Sequence, residues 1–215
     1  MAAQYAAAGD PLGWFEVLYR EAASGESIVP WADLQPNPTL VRFWRESPLE
    51  SQGRTALCVG CGYGDDAEFL AAVGYAVTAF DIAPAAVEYC RTRFPESNVR
   101  YCAGDLLTFP TDEPFDFVFE AYTLQVLPPA LRALAIPQLA RLVRPGGHLL
   151  IIARAREAAE PAGAMPWPLV REELAGVELA MLRFDDFVDT EDPPVRRFLA
   201  LYSATSGSSG HLCRG

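Results

Sequence analysis

The sequence predicts an α/β fold: a doubly wound, mostly parallel sheet of seven strands, with helices on both faces and an N-terminal helical cover. Three observations carry that expectation. Short apolar runs alternate with helical segments through residues 55–153, and repeated strand–helix units of this kind close as a parallel sheet with right-handed crossovers. The first run ends in a glycine turn, Gly60-Cys61-Gly62-Tyr63-Gly64, and the strands that follow carry Asp81, Asp105 and Glu120 at or just beyond their ends. Two further apolar runs late in the chain have no glycine-rich helix between them, which suits an antiparallel pair at the sheet edge.

Taken in order, residues 12–45 are aromatic-rich. Trp14-Phe15, Leu18-Tyr19 and Ala22 recur at helical spacing. Asn37 then caps a second helix, with Pro38 at its first position and Leu40, Val41, Phe43 and Trp44 along it. Ile28-Val29-Pro30-Trp31 between them reads as a kinked, ordered stretch. Residues 55–59 form the first strand, and Asp65-Asp66 lead a helix that places Phe69, Leu70 and Val73 on one face and is closed by Gly74. Residues 76–80 form the second strand; Pro84 opens a helix carrying Val87, Cys90 and Phe94, and Pro95 ends it. Residues 99–103 and 115–121 are the third and fourth strands. Pro128-Pro129 open a helix that Pro137 should kink or split, and Pro145-Gly146-Gly147 reads as a turn into a strand at 148–153. The last third reads as a helix at 168–175 and strands at 177–184 and 197–202. The whole is a Rossmann-like pattern read as a single domain over 1–205, with a cover at 1–50, a cofactor-binding core at 55–153 and a closing part at 154–205. Residues 206–215 read as a flexible tail.

Charge narrows the partners. The formal net charge is −11, from 17 basic and 28 acidic residues, and every basic residue is Arg. A nucleic acid or an anionic membrane surface would be repelled. The absence of Lys removes Schiff-base chemistry and the P-loop lysine, and two His leave little room for a histidine-rich metal site, so no metal is expected. Cys58-Val59-Gly60-Cys61 spells C-x-x-C with no second pair, which argues against zinc. An odd count of five Cys, a start without a cationic region and no long uninterrupted apolar stretch predict a cytoplasmic protein.

In a doubly wound sheet the ligand lies beyond the carboxyl ends of the strands, at the switch point. Glycines there admit a ligand without interference from Cβ. Asp81, after the second strand, is placed to accept hydrogen bonds from two ribose hydroxyls, although it could also cap the helix at Pro84. The turn spells G-x-G-x-G, where a dinucleotide site spells G-x-G-x-x-G, and the next helix opens on Asp65-Asp66. Two carboxylates there would repel a diphosphate and tolerate a cofactor bearing ammonium and sulfonium groups. S-adenosylmethionine has that charge pattern.

VGCGYGDDAEFL, AFDIAP, AGDLL, FDFVFEA and LVRPGGHLLI together resemble the motif series of class I S-adenosylmethionine-dependent methyltransferases, over residues 55–153. A narrower resemblance is to the thiopurine and thiol methyltransferase branch. It is carried by the aromatic N-terminal helix, the Pro30-Trp31 turn and FDFVFEAYTLQVLPPALRA. The extra acid of Asp65-Asp66 departs from it. The resemblance implies that Gly60 and Gly62 lie against the methionine part of the cofactor, Asp81 holds the ribose and Asp105 flanks the adenine. Glu120 would sit under the cofactor near the substrate, and Trp31 would cover it. Cys61, Asp65, Ile82 and Leu106, their neighbours in the same turns, join the expected contacts.

Methyl transfer from a sulfonium asks little of a protein beyond holding donor and nucleophile together and dry. An alcohol or phenol acceptor also needs a general base, and none is visible. A thiol, with a pKa near 8.5, needs less help, so the expected reaction is methylation of a small-molecule acceptor, favouring a thiol, with no catalytic residue assigned. Trp14, Tyr122, Arg154 and Trp167 are the candidates for the acceptor side, with Arg154 able to offset an anionic acceptor. Three alternatives stay open: an O- or N-methyltransferase of a small metabolite, a non-catalytic S-adenosylmethionine-binding protein, and a nucleotide-dependent oxidoreductase, which the glycine spacing disfavours. The aromatic N-terminal segment is expected either to roof the strand ends or to add core behind the sheet. Oligomeric state is not legible in the sequence.

Overall fold

Strand β1 (Thr55–Val59) is apolar and buried along nearly its whole length, as a central strand covered on both faces must be. It pairs in parallel with β2 (Ala76–Asp81) on one side and β4 (Phe115–Ala121) on the other. Beyond them lie β3 (Arg100–Ala103), β5 (Val143–Arg154), β7 (Arg196–Ser203) and β6 (Ala180–Val188), giving the order β3-β2-β1-β4-β5-β7-β6. β7 runs antiparallel to both β5 and β6, so the expected edge pair closes the sheet. The computed structural model describes residues 1–110 and 112–205; the expected tail at 206–215 lies outside them.

Helices cover both faces. α3 (Pro38–Glu46), α4 (Asp65–Ala72) and α5 (Pro84–Arg93) bury Leu40, Phe43, Leu70, Val87 and Cys90 on one side. α6 (Pro129–Arg141) and the short α7 (Arg171–Leu174) bury Ile136, Leu139 and Leu174 on the other. The Asn37 cap forms as expected, its side chain accepting the Thr39 and Leu40 N–H groups.

α1 (Ala2–Ala7), an Ala-rich helix with no apolar periodicity to announce it, was not expected. α2 (Trp14–Ala23) packs on the start of α5: Glu16 accepts the Ala85 N–H at 2.9 Å, and Trp14, Phe15, Leu18 and Tyr19 cluster with Ala83 and Ala86. Ala83 lies two residues past the last residue of β2. The aromatic segment therefore roofs the carboxyl ends of the strands and is not core behind the sheet.

Four expectations need correction. α6 runs unbroken through Pro137. Pro145-Gly146-Gly147 is part of β5, taken up as an irregularity in its pairing with β4, where the register passes from Phe115↔Val143 to Phe117↔His148. The backbone there is held by β7's end, through Gly146 N–H to Ala204 O and Ala204 N–H to Gly147 O, both 3.0 Å. A Cβ on Gly147 would come within 2.8 Å of Asp116 O, which is why glycine stands there. The helix expected at 168–175 shrinks to α7 because Trp167 and Leu169 spend their N–H groups on Gln125 O and Arg154 O as extended backbone. Correspondingly, β6 starts at Ala180, later than expected.

Candidate functional site

The site is built where β1 and β4 part, since the chain winds away from that boundary in both directions. β1 runs into the glycine turn, in which Gly60, Gly62 and Gly64 all have positive φ, at 60°, 52° and 88°. Each serves a close approach. A Cβ on Gly60 would lie 2.2 Å from Thr123 Oγ1 and one on Gly64 2.6 Å from the Tyr101 hydroxyl, whereas one on Gly62 would meet the Tyr19 hydroxyl of the cover at 3.2 Å. Gly62 thus lines the gap between turn and roof.

Asp81, only 6% exposed, braces this turn: its Oδ2 accepts the Gly62 N–H and its Oδ1 the Ala83 N–H, both at 2.9 Å. Burial pushes its pKa up, against the pull of those N–H groups. Asp81 thus holds the residue before α5 without capping the helix, whose N-cap is Ala83 and carries no side-chain cap bond. Across the gap, the Trp31 indole donates to the Tyr19 hydroxyl at 3.2 Å, and Trp31 remains 44% exposed. The Gly104 N–H bonds to Asp81 O, which sets Asp105 beside it at the next strand end, where its Oδ1 accepts the Leu107 N–H. Leu106 is buried, and Ile82 is exposed at the rim. Cys61 lies partly buried in the turn, near Cys90, whose thiol donates to Gly62 O at 3.1 Å.

Glu120 is fully buried. Its Oε1 accepts the Thr123 and Leu124 N–H groups at 2.7 and 2.9 Å, and its Oε2 has no partner. Burial pushes its pKa to about 7, against the two N–H groups and Arg132. In the unfolded chain it titrates as an ordinary glutamate, so between that value and about 7 the fold binds more protons than the unfolded chain. Its contribution to stability is full at acid pH and is lost as the pH rises through about 7. Raising the pH from about 5 to about 8 should therefore lower the melting temperature of the wild-type protein relative to Glu120→Gln. Parallel melting curves across that range would contradict the shift.

The acids that open α4 are not free. Asp65 is held by Arg93 through two 2.7 Å bonds, and Arg93 in turn donates to Tyr63 O. Asp66 accepts the Asn37 N–H at 2.6 Å, and burial pushes its pKa to about 7. The expected repulsion of a diphosphate by this pair is therefore weakened: Arg93 balances the Asp65 charge, and burial favours the protonated form of Asp66. Spacing could not reveal this, because Arg93 lies on another helix.

Of the acceptor-side candidates, three converge on the 3-10 turn Leu124–Val126 that follows β4. Tyr122 enters it with a φ of 66°, its N–H on Ile152 O and its ring over the Arg197 guanidinium. The Arg154 N–H bonds to Gln125 Oε1 and the Trp167 N–H to Gln125 O, at 2.8 and 2.7 Å. Trp14 is apart from them, buried in the cover and stacked on Phe15 at 4.0 Å, with an indole N–H that has no partner. Val126 and Met165 pack on the cluster containing Trp14, joining roof and turn. Tyr19, not among the expected contacts, joins the site through its hydroxyl, and the available signal was that hydroxyl, which needs a partner on an otherwise apolar stripe.

The arrangement suits a cationic nucleoside. Carboxylates at neighbouring strand ends can accept from hydroxyl and amino groups, a glycine gap admits a chain against the backbone, and the nearby Arg93 is taken up by Asp65. Among the described residues, no group of three His, Cys, Asp or Glu is placed to hold a metal ion, and no helix is long and apolar enough to cross a membrane.

Residues 56–147 match the family described as a methyltransferase domain. The chain is 25% identical over 182 residues to thiopurine S-methyltransferase of Vibrio atlanticus, across 75% of this chain and 82% of that protein. It shares its fold with a structure solved for the conversion of a disulfide bond into a thioacetal group during echinomycin biosynthesis (TM-score 0.71, 21% identity, 91% of this chain and 95% of that one). It also shares it with the N-methyltransferase NodS of Bradyrhizobium japonicum, solved with S-adenosylhomocysteine (TM-score 0.68, 24% identity, 87% and 96% covered).

Proposed function

We propose that this chain, whose residues 56–147 match a methyltransferase domain and which is similar to thiopurine S-methyltransferase, transfers a methyl group from S-adenosylmethionine to the sulfur of a small thiol. The observation that supports the choice of sulfur is that, among the described residues around the turn after β4, neither Glu120 nor His148 offers an accessible base, while Asp105 lies on the β3 side. Glu120 is sealed from solvent, and His148 pairs with Phe117 and Ser203 well before the carboxyl end of β5. A thiol sheds its proton near neutral pH without help, whereas a phenol or alcohol does not.

When bound, S-adenosylmethionine supplies an electrophilic methyl group on a sulfonium. The residues do the rest by placement. Asp81 accepts the ribose hydroxyls while holding the glycine turn through Gly62. Asp105 and Leu106 flank the adenine, Ile82 lies at the rim, and Gly60, Cys61 and Gly62 lie along the methionine part. Trp31 and Tyr19 close over them and keep water out. Glu120 holds the turn after β4 through two backbone N–H groups. Tyr122 and Trp167 form the acceptor wall, with Arg154 at its edge to offset an anionic acceptor. The small-molecule reading also agrees with the charge, since −11 offers nothing to a polyanion. Offering the protein S-adenosylmethionine with a matched aromatic thiol, phenol and amine tests the reading: transfer to sulfur alone is expected, and transfer to oxygen or nitrogen alone overturns it.

A further inference from the structure

Arg132, in the first turn of α6, is 3% exposed. A buried guanidinium is costly unless its donors are matched, and these are. Nε donates to Leu124 O at 2.9 Å, Nη2 to Trp167 O at 3.1 Å and, more weakly, to Leu127 O at 3.4 Å, and Nη1 to Glu173 Oε1 at 2.8 Å. The second oxygen of Glu173 accepts the Val170 N–H at 2.9 Å. From the other side, Gln125, also buried, takes the Trp167 N–H on its backbone oxygen and the Arg154 N–H on its side chain. Both polar groups of the Trp167 backbone are therefore held by the turn after β4 and by α6. The loop between β5 and α7 is fastened at both ends, while Met165 within it leans on the aromatic roof.

A packed apolar side chain would fill this space at lower cost. What only a planar fork of donors can do is satisfy carbonyls from two separate loops at once. All of these contacts lie on the β4–β5 side of the switch point, away from Asp81 and Asp105 on β2 and β3.

We propose that Arg132 is a positioning residue for the methyl acceptor: it locks Trp167 and the turn after β4 into one wall, setting the fit of the acceptor and not that of the nucleoside. The inference rests on the proposed function for its acceptor side. Two variants test it, Arg132→Met and, because a buried ion pair can be needed for folding, the gentler Glu173→Gln. In Arg132→Met, amide hydrogen exchange over residues 165–170 should accelerate at least about tenfold while residues 55–93 keep their protection. S-adenosylhomocysteine affinity should stay within about twofold, and the KM for an aromatic thiol should rise about tenfold. Glu173→Gln should shift the same quantities in the same direction by less. Unchanged exchange over 165–170 in both variants, or a loss of cofactor affinity in step with stability, overturns the proposal. If the wild-type protein methylates no thiol, the proposed function falls, and the exchange and cofactor-binding results still decide whether Arg132 fixes this wall.

Discussion

Replacing Asp81 by Ala should weaken S-adenosylhomocysteine binding by about 2–3 kcal/mol, roughly a hundredfold. Two losses combine. The ribose hydroxyls lose a charged acceptor, and the Gly62 and Ala83 N–H groups lose the carboxylate that ties the glycine turn to the start of α5. Asp81→Asn separates them, because one carbonyl oxygen remains to accept one N–H while the charge is gone, so an intermediate affinity is expected. Titration calorimetry on protein shown to be folded by its melting transition reads both variants. Full affinity in a folded Asp81→Ala protein would take Asp81 out of the cofactor site.

Deleting residues 1–35 should leave a folded domain with cofactor affinity cut by roughly a hundredfold and no detectable turnover. The deletion removes Tyr19 and Trp31 from above Gly62 and the Glu16 contact to Ala85. It spares Asn37, its bond to Asp66 and the packing of Leu40 and Phe43 on the sheet. The apolar groups it uncovers are Ala83, Ala86 and parts of Tyr63, Ala85, Val126 and Met165. Size-exclusion chromatography, a melting scan and calorimetry decide the outcome. Aggregation would make the segment core after all, and full activity would show that no roof is needed.

How far the sequence could be read follows from the range of each interaction. β1 and β4 were legible to the residue, because an apolar run bounded by Gly or by polar residues marks both ends locally. The antiparallel closing pair was legible too, from what was missing between its strands. Misreadings arose where a distant partner decides. Pro145-Gly146-Gly147 spells a turn until Ala204 pairs with it, and Trp167 to Leu169 spell a helix start until Gln125 and Arg154 take their N–H groups. Asp65-Asp66 spell a double negative charge until Arg93 balances one and burial weakens the other. Arg132 and Gln125 gave no signal at all, since a polar residue on a helix or turn is ordinarily solvated. The glycine turn and the strand-end acids were found because their chemistry is written in residue type; the clamp was not, because it is written only in packing.

The most direct test of the account is the fate of the methyl group when S-adenosylmethionine is supplied with an aromatic thiol, its phenol and its amine together. Mass spectrometry of the products, followed across pH, identifies both the acceptor atom and the ionisation it needs. The account predicts one S-methyl product, formed in step with S-adenosylhomocysteine and rising in rate as the thiol ionises, and lost in the Asp81→Ala protein. Methylation of oxygen or nitrogen with the thiol untouched, or a rate indifferent to thiol ionisation, would contradict it.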